Sequence, residues 1–282
     1  MQTLKFTKMQ GLGNDFIIIK EKELPESCNR NNLAIKLCDR RLGIGADGLI
    51  ILQGKAIDTD FEWDFYNSDG TIAEMCGNGM RCFAKYLVEN NITEKKEFSV
   101  KTLAGTIIPK VNNDGTITVN MGNPIFTPEK VPVQSENTPV LNEKLEVQNK
   151  EFSFNAISMG NPHCIIFESG APKEFALQYG YDIEHHPLFP KKTNVEFVKV
   201  LSQNEITIDV WERGCGITQA CGTGACASVT ACILNNLTSN KVKANLPGGA
   251  LTIEWQGSKD NLAQPVFMTG NAEFVFYGEV LL

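Results

Sequence analysis

Histidine and tryptophan are scarce in this 282-residue chain, at three residues each, and two of the histidines, His185 and His186, are adjacent. A histidine-rich metal centre is therefore excluded. Cysteine is more frequent, at nine, yet no Cys-x-x-Cys step occurs, and Cys215, Cys221 and Cys226 stand six and five apart. That spacing fits no structural zinc site. An odd cysteine count without an export signal also argues against a disulfide framework. No run of basic residues offsets the net charge of −7, so nucleic acid is not an expected partner. No apolar run reaches membrane-spanning length, and the opening "MQTLKFTKMQGLGNDFIII" lacks a signal-peptide core and cleavage site. The expectation is a cytoplasmic protein with neither membrane nor nucleic-acid partner. Apolar residues at 42% supply enough side chains for a substantial core.

What the chain does contain is written twice. "GNDFII" at 13–18 returns as "GNPHCII" at 160–166, and "DFYN" at 64–67 as "DVWE" at 209–212. "CGNG" at 76–79 returns as "CGTG" at 221–224, "AGTII" at 104–108 as "GGALTI" at 248–253, and "VNMGNP" at 119–124 as "VFMTGNA" at 266–272. Five matches in one order, at offsets of about 145–148 residues, indicate an internal duplication.

Each half reads mainly as strands: "DFIIIK", "GLIILQ", "DFEWDFYN" and "EFSVKTL" in the first, "FSFNAIS", "HCIIFE", "VEFVKVL", "EITIDVWE", "KVKANL" and "ALTIEW" in the second. "NNDG" at 112–115, between two alternating runs, predicts a hairpin. Helices are expected at 31–41, 77–91 and 222–236. The last two carry apolar residues at helical spacing: Met80, Phe83, Ala84 and Leu87, then Ala225, Val229, Cys232 and Ile233. The expected fold is α+β, two similar lobes, each a curled and mainly antiparallel sheet around a central helix, with the active site in the cleft between them. The lobes are expected at 1–125 with 271–282, and at 126–270. The stretch "TPEKVPVQSENTP" (127–139) reads as a linker, and the last strand as one that crosses back to the first lobe.

Cys76 and Cys221 are equivalents in the duplication, and each stands directly before Gly-x-Gly at the start of a helix. Free N–H groups and the helix dipole favour negative charge there. A thiol at such a place is expected below its free value of about 8.5, and the same N–H groups can hold a carboxylate. Two thiols that pass protons to and from opposite faces of one α-carbon would invert it, without metal or pyridoxal. Cys82, Cys226 and Cys232 fall within helices and Cys164 within a strand, so they read as core. Cys28 and Cys38 lie in or near the first helix. Cys215 has Gly70 as its counterpart and cannot belong to a symmetric pair.

The stretches "KMQGLGNDFIII", "RLGIGADGLI", "FYNSDGTIAEMCGNGMRCFAKYL", "GNPHCIIF", "TNVEFV", "WERGCGITQACGTGACA" and "MTGNAEFVFYGEV" closely resemble the diaminopimelate epimerase family across nearly the whole chain. The resemblance implies interconversion of LL- and meso-diaminopimelate, without a cofactor, in lysine biosynthesis and peptidoglycan precursor supply. It makes Cys76 and Cys221 the acid/base pair. Gly77, Asn78, Gly222 and Thr223 would give backbone donors to the reacting carboxylate. Asn14, Asn67, Asn161, Asn194, Glu212 and Arg213 would hold the substrate, and His163 and Glu212 would tune the thiols. It also implies a homodimer. Two departures stand out. Some members have Gln where this chain has Gly48, and some have Tyr in the final strand where this chain has Phe276.

Rival readings differ in what they ask of these residues. A proline or hydroxyproline racemase also uses paired cysteines, but its small monocarboxylate needs no second polar clamp such as "GNDF" and "WERG". A protein of the same fold could instead bind an amino acid and do no chemistry.

Overall fold

The structure is a computed structural model that describes residues 3–54 and 56–281. In chain order the first elements are β1 (Thr3–Gly11), β2 (Asn14–Lys20), α1 (Arg30–Cys38), β3 (Gly48–Gly54), β4 (Phe61–Asn67), α2 (Gly77–Glu89), β5 (Val100–Thr102), β6 (Gly105–Ile107), β7 (Lys110–Val111) and β8 (Ile117–Asn120). There follow β9 (Val140–Val147), β10 (Lys150–Ser158), β11 (Pro162–Phe167), α3 (Pro172–Glu184), β12 (Asn194–Ser202), β13 (Glu205–Glu212) and β14 (Gly216–Ile217). The chain ends with α4 (Gly222–Leu234), β15 (Lys241–Leu246), β16 (Gly249–Trp255), β17 (Val266–Gly270) and β18 (Glu273–Leu281). It forms two compact units, one from the residues up to Val119 together with those from Gly270 onward, the other from Asn120 to Thr269.

The duplication is visible in how the strands pair. In the first unit the order is β18-β1-β2-β3-β4-β5-β6, and in the second β9-β10-β11-β12-β13-β15-β16, which β17 extends. Read along either row, the first two pairings are antiparallel, the next parallel, then antiparallel, parallel and antiparallel. Parallel neighbours require a long crossover. Here every one has a helix: α1 between β2 and β3, α2 between β4 and β5, α3 between β11 and β12, α4 between β13 and β15. Each unit is therefore mostly sheet with two helices, an α+β arrangement. The matching place for β9 in the first unit is taken by β18, from the far end of the chain, with Thr3 opposite Leu281.

Helix α3 is the element that strand-and-turn reading passes over. Its first residue is Pro172, with a fixed φ that suits a helix start, and Ala176, Tyr179 and Ile183 line its buried face. These pack on Phe152, Phe154 and Phe197 in the core of the second unit. The same core takes in Val131 and Val133. The segment 127–139 is thus anchored by its valines, not strung loosely as a linker. In the first unit Ile17, Ile19, Leu49 and Ile51 face α1 through Leu33 and Leu37. The "FIII" run of β2 is buried on both sides because α2 covers the opposite face, where Trp63 and Phe83 pack at 5.4 Å between ring centroids. The expected hairpin is present: β7 and β8 are joined by a turn in which Gly115 has φ +84°, a conformation glycine adopts without strain.

Helices α2 and α4 both span 13 residues. Met80, Phe83, Ala84 and Leu87 of the first are fully buried, as are Ala225, Val229 and Cys232 of the second, with Ile233 nearly so. Full burial of such a Leu, Ile, Val, Phe or Met side chain contributes roughly 1.5–3 kcal/mol. The helix starts are consequently held in place by the cores behind them.

Candidate functional site

The N-cap of α2 is Cys76. Its backbone is extended, and its sulfur accepts the Gly79 N–H at 3.4 Å. The thiol also meets Asn14 Oδ1 at 3.7 Å, and Asn78 Nδ2 donates to that same oxygen at 3.2 Å. Asn14 Nδ2 in turn donates to Asp47 Oδ2 at 2.7 Å, and Asp47 Oδ1 accepts from Arg40 at 2.8 Å. Thus Cys76, Asn14 and Asn78 form one cluster at the first turn of α2, where the Gly77 and Asn78 N–H groups have no preceding carbonyl in reach. Asn67 stands apart, bonded to Thr71 at 3.0 Å in the turn after β4. Gly48 has a local reason: a Cβ there would lie 2.5 Å from the Phe65 ring and 2.9 Å from the Tyr66 carbonyl oxygen.

In the second unit Cys221 is the N-cap of α4, and its sulfur accepts the Gly224 N–H at 3.3 Å. It lies 3.4 Å from Thr223 Oγ1, which accepts from Asn161 Nδ2 at 3.2 Å. Asn161 Oδ1 is 3.0 Å from His163 Nε2, and His163 Nδ1 is 2.6 Å from Glu196 Oε1. Cys221, Thr223, Asn161 and His163 therefore form a chain of contacts, and it ends on a residue that motif reading missed. Glu196 and His163 are both fully buried. The signal was present: a lone carboxylate within the apolar run of β12, between Val195 and Phe197.

A second polar group holds the "WERG" turn. Asn194 Nδ2 donates to the Pro162 carbonyl at 2.7 Å and its Oδ1 accepts the Arg213 N–H at 2.9 Å. Buried Glu184 of α3, also unforeseen, accepts from Trp211 Nε1 at 2.7 Å and from the Gly214 N–H at 2.9 Å. The Glu212 carboxylate accepts the Thr218 hydroxyl.

Electrostatics correct one expectation. Burial, then the Glu212 and Glu196 carboxylates, push the Cys221 thiol well above its ordinary value, against the lowering effect of the Thr223 and Gly224 hydrogen bonds. Desolvation outweighs the helix start, and Cys221 rests as a thiol. Cys82, Cys164, Cys226 and Cys232 are fully buried. Burial pushes Cys82 and Cys232 up to about 12, as expected of inert core thiols. Cys215 is exposed.

His163, Glu196 and Cys221 place a nitrogen, an oxygen and a sulfur within 4.8 Å of one another, ligand types that suit a metal ion. Both ring nitrogens are already hydrogen-bonded, to Glu196 and to Asn161. The trio is a polar array in its own right.

A family model described as diaminopimelate epimerase matches residues 6–127 and 155–275. The chain belongs to the diaminopimelate epimerase family. It is 50% identical to the diaminopimelate epimerase of Halothermothrix orenii over 286 residues, covering 99% of this chain and 98% of that one. It is 48% identical to that of Carboxydothermus hydrogenoformans, covering 99% and 100%. A phenazine biosynthesis protein of the PhzF family from Bacillus anthracis shares the fold at a TM-score of 0.74, covering all of both chains at 15% identity. Among the described residues, no helix is long and apolar enough to cross a membrane.

Proposed function

We propose that this chain is an isomerase that interconverts LL- and meso-diaminopimelate by two-cysteine proton transfer, serving lysine biosynthesis and peptidoglycan precursor supply. One observation carries the reading. At matched positions of a duplicated chain, two thiols cap two 13-residue helices, and each accepts the N–H three residues on. With family membership, that pairing favours inversion over simple binding.

In the mechanism Cys76 and Cys221 serve as base and acid by turns. One removes the α-proton as thiolate while the other gives a proton to the opposite face of the same carbon, so protons balance and the configuration inverts. Cys221, which rests as a thiol, begins as the acid, and Cys76 begins as the base for the substrate epimer that matches. The free N–H groups of Gly77, Asn78, Gly222 and Thr223 receive the carboxylate, whose charge grows as the α-carbon becomes carbanion-like. Asn14, Asn67, Asn161, Asn194, Glu212 and Arg213 hold the substrate. Arg213 suits a carboxylate through its planar fork and Glu212 suits an ammonium. His163 and Glu212 tune the thiols. No cofactor or metal enters the scheme.

The protein is placed in the cytoplasm, whose reducing conditions keep nine free thiols reduced. It is read as a homodimer. Edge strand β18 exposes Val275, Phe276, Tyr277 and Leu281, an apolar surface that a second copy can cover.

The deciding experiment is label uptake at Cα in heavy water, with meso-diaminopimelate and then with proline. Uptake from diaminopimelate, lost in both Cys76→Ala and Cys221→Ala while the variants still fold, is the expected result. Uptake from proline alone would move the assignment to the proline racemase type, and none from either would leave a binding protein. Either variant inverting diaminopimelate at near wild-type rate would overturn the two-thiol scheme.

A further inference from the structure

The two helix starts are not alike in what lies behind them. A Cβ placed on Gly79, the third residue of α2, would meet Ile50 Cδ1 and Phe16 Cε1. A Cβ on its counterpart Gly224 would meet Glu196 Oε1 and the Cys221 sulfur. In the duplicated numbering Phe16 corresponds to His163, and Ile50 to Glu196. An apolar pair in the first unit is thus replaced in the second by a buried carboxylate and imidazole 2.6 Å apart. Burying that pair costs more desolvation than burying an apolar one, so its presence calls for a role beyond packing.

Hydrogen-bond direction tells what. Asn161 presents its oxygen to His163 Nε2 and its amide nitrogen to Thr223 Oγ1. With its oxygen facing the ring, Asn161 requires Nε2 to be the donor. The one remaining proton then lies between Nδ1 and Glu196 Oε1. Thr223 Oγ1 accepts from Asn161 and has one proton of its own, which it can donate to the Cys221 sulfur 3.4 Å away. In that arrangement every donor along the row points toward the thiol.

We propose that Glu196 is a positioning residue: the buried pair holds two protons, one between Oε1 and Nδ1 and one on Nε2, and Glu196 by retaining both keeps Nε2 a donor and so, through Asn161 and Thr223, aims a hydroxyl donor at Cys221. The inference rests on the reading of Cys221 as an acid/base group. Its consequence is twofold. The Cys221 S–H is not spent on Thr223 and stays free for the substrate carbon, and the thiolate left after transfer is met by two donors, the Thr223 hydroxyl and the Gly224 N–H. No proton travels along the row, because the Asn161 amide donates hydrogen bonds without releasing its protons; the transferred proton goes from sulfur to carbon. Among the described residues, the ionisable groups facing Cys221 include Glu212 of β13, Glu196 of β12 and His163 of β11, and Cys164 of β11 faces Glu196. Burial raises the Glu196 carboxyl, in keeping with a proton held between it and the imidazole, and its Oε2 has no hydrogen-bond partner among the described residues.

Nitrogen-15 NMR of histidine-labelled wild-type protein at neutral pH tests the direction without any assay of activity. His163, assigned by its loss in His163→Ala, is expected to carry a proton on Nε2; a bare Nε2 would overturn the proposal, since the row would then run the other way. In Glu196→Leu, kcat should fall about ten-fold or more, the worth of one hydrogen bond to a charged group, while KM changes less than about two-fold. The alkaline limb of the pH profile should move up, because the Cys221 thiolate has lost a donor. A limb that moves down would show Glu196 acting on the sulfur as a bare negative charge, and an unmoved profile would show it to be structural. Both would refute the positioning role. Should the wild type fail to turn over diaminopimelate, the functional reading falls while the Nε2 result still stands or falls alone.

Discussion

Alanine at the third residue of each capped helix separates the two half-sites by a single methyl group. At Gly79 the added Cβ would lie 3.4 Å from Ile50 Cδ1 and 3.5 Å from Cys76 Cβ and Phe16 Cε1, ordinary contact distances. Gly79→Ala should therefore be neutral or stabilising by about 0.4–1 kcal/mol, since alanine loses less chain entropy on folding. At Gly224 the same Cβ would lie 2.6 Å from Glu196 Oε1 and 3.2 Å from both the Cys221 Cβ and sulfur. Neither neighbour can give way. Glu196 is fully buried and fixed by His163, and Cys221 is fixed by the helix it caps. Overpacking of this kind costs about 1–3 kcal/mol, less the same entropic gain, so Gly224→Ala should destabilise by about 1–2 kcal/mol. At roughly 2–4 °C per kcal/mol, its melting midpoint should fall by about 2–8 °C while that of Gly79→Ala holds or rises. On the proposed two-thiol reading turnover should follow the same split, because a displaced Cys221 sulfur no longer lines up with the substrate carbon. Calorimetry with label exchange on both variants is the assay. Equal midpoints and equal rates would refute the packing described at Gly224.

Two further outcomes can be measured. Asp15 sits 2.7 Å from buried Lys8, and although burial raises its pKa, hydrogen bonds from Arg40 and Lys8 bring it down from the ordinary 3.8 to about 2. Its folded pKa lies below the unfolded one, so its contribution, about 2.5 kcal/mol, is present above pH 4 and lost as pH falls toward 2. Asp15→Asn should flatten acid unfolding in that window and destabilise by about 3 kcal/mol at neutral pH; a curve parallel to wild type would contradict the pairing. In α3, a Cβ on Gly180 would fall 2.6 Å from Trp211 Cβ and Cγ. Gly180→Ala should therefore lower stability by about 1–2 kcal/mol despite alanine's better helix propensity, seen as a lower urea midpoint; a higher midpoint would show that α3 does not seat on Trp211.

How far the residues foretold this structure depends on which signal each element carries. Most of the strands, the hairpin at "NNDG" and the two capped helices announce themselves through alternation, turn chemistry and glycine punctuation, whereas β1 and β9 are not among the strands read from the sequence. Helix α3 does not, because "PKEFALQYGYDIE" carries a mid-helix glycine, placed where Trp211 must fit. The duplication itself could have found it: a helix near 31–41 that crosses between parallel strands demands a counterpart about 147 residues on, and residues 172–184 are there. The same symmetry hides Glu196. Repeat matching rewards likeness, so "GNDFII" against "GNPHCII" drew attention to the asparagines and passed over Phe16 set against His163. On the proposed two-thiol reading the two half-sites need not be identical, since in either direction of reaction one sulfur holds its proton while the other lacks it. The informative positions are then those where the halves agree on the backbone and disagree on the side chain. Here they disagree where a buried carboxylate and imidazole stand behind one thiol and an isoleucine and phenylalanine behind the other. Divergence at matched sites, more than the shared motif, marks where the surroundings of the two thiols differ.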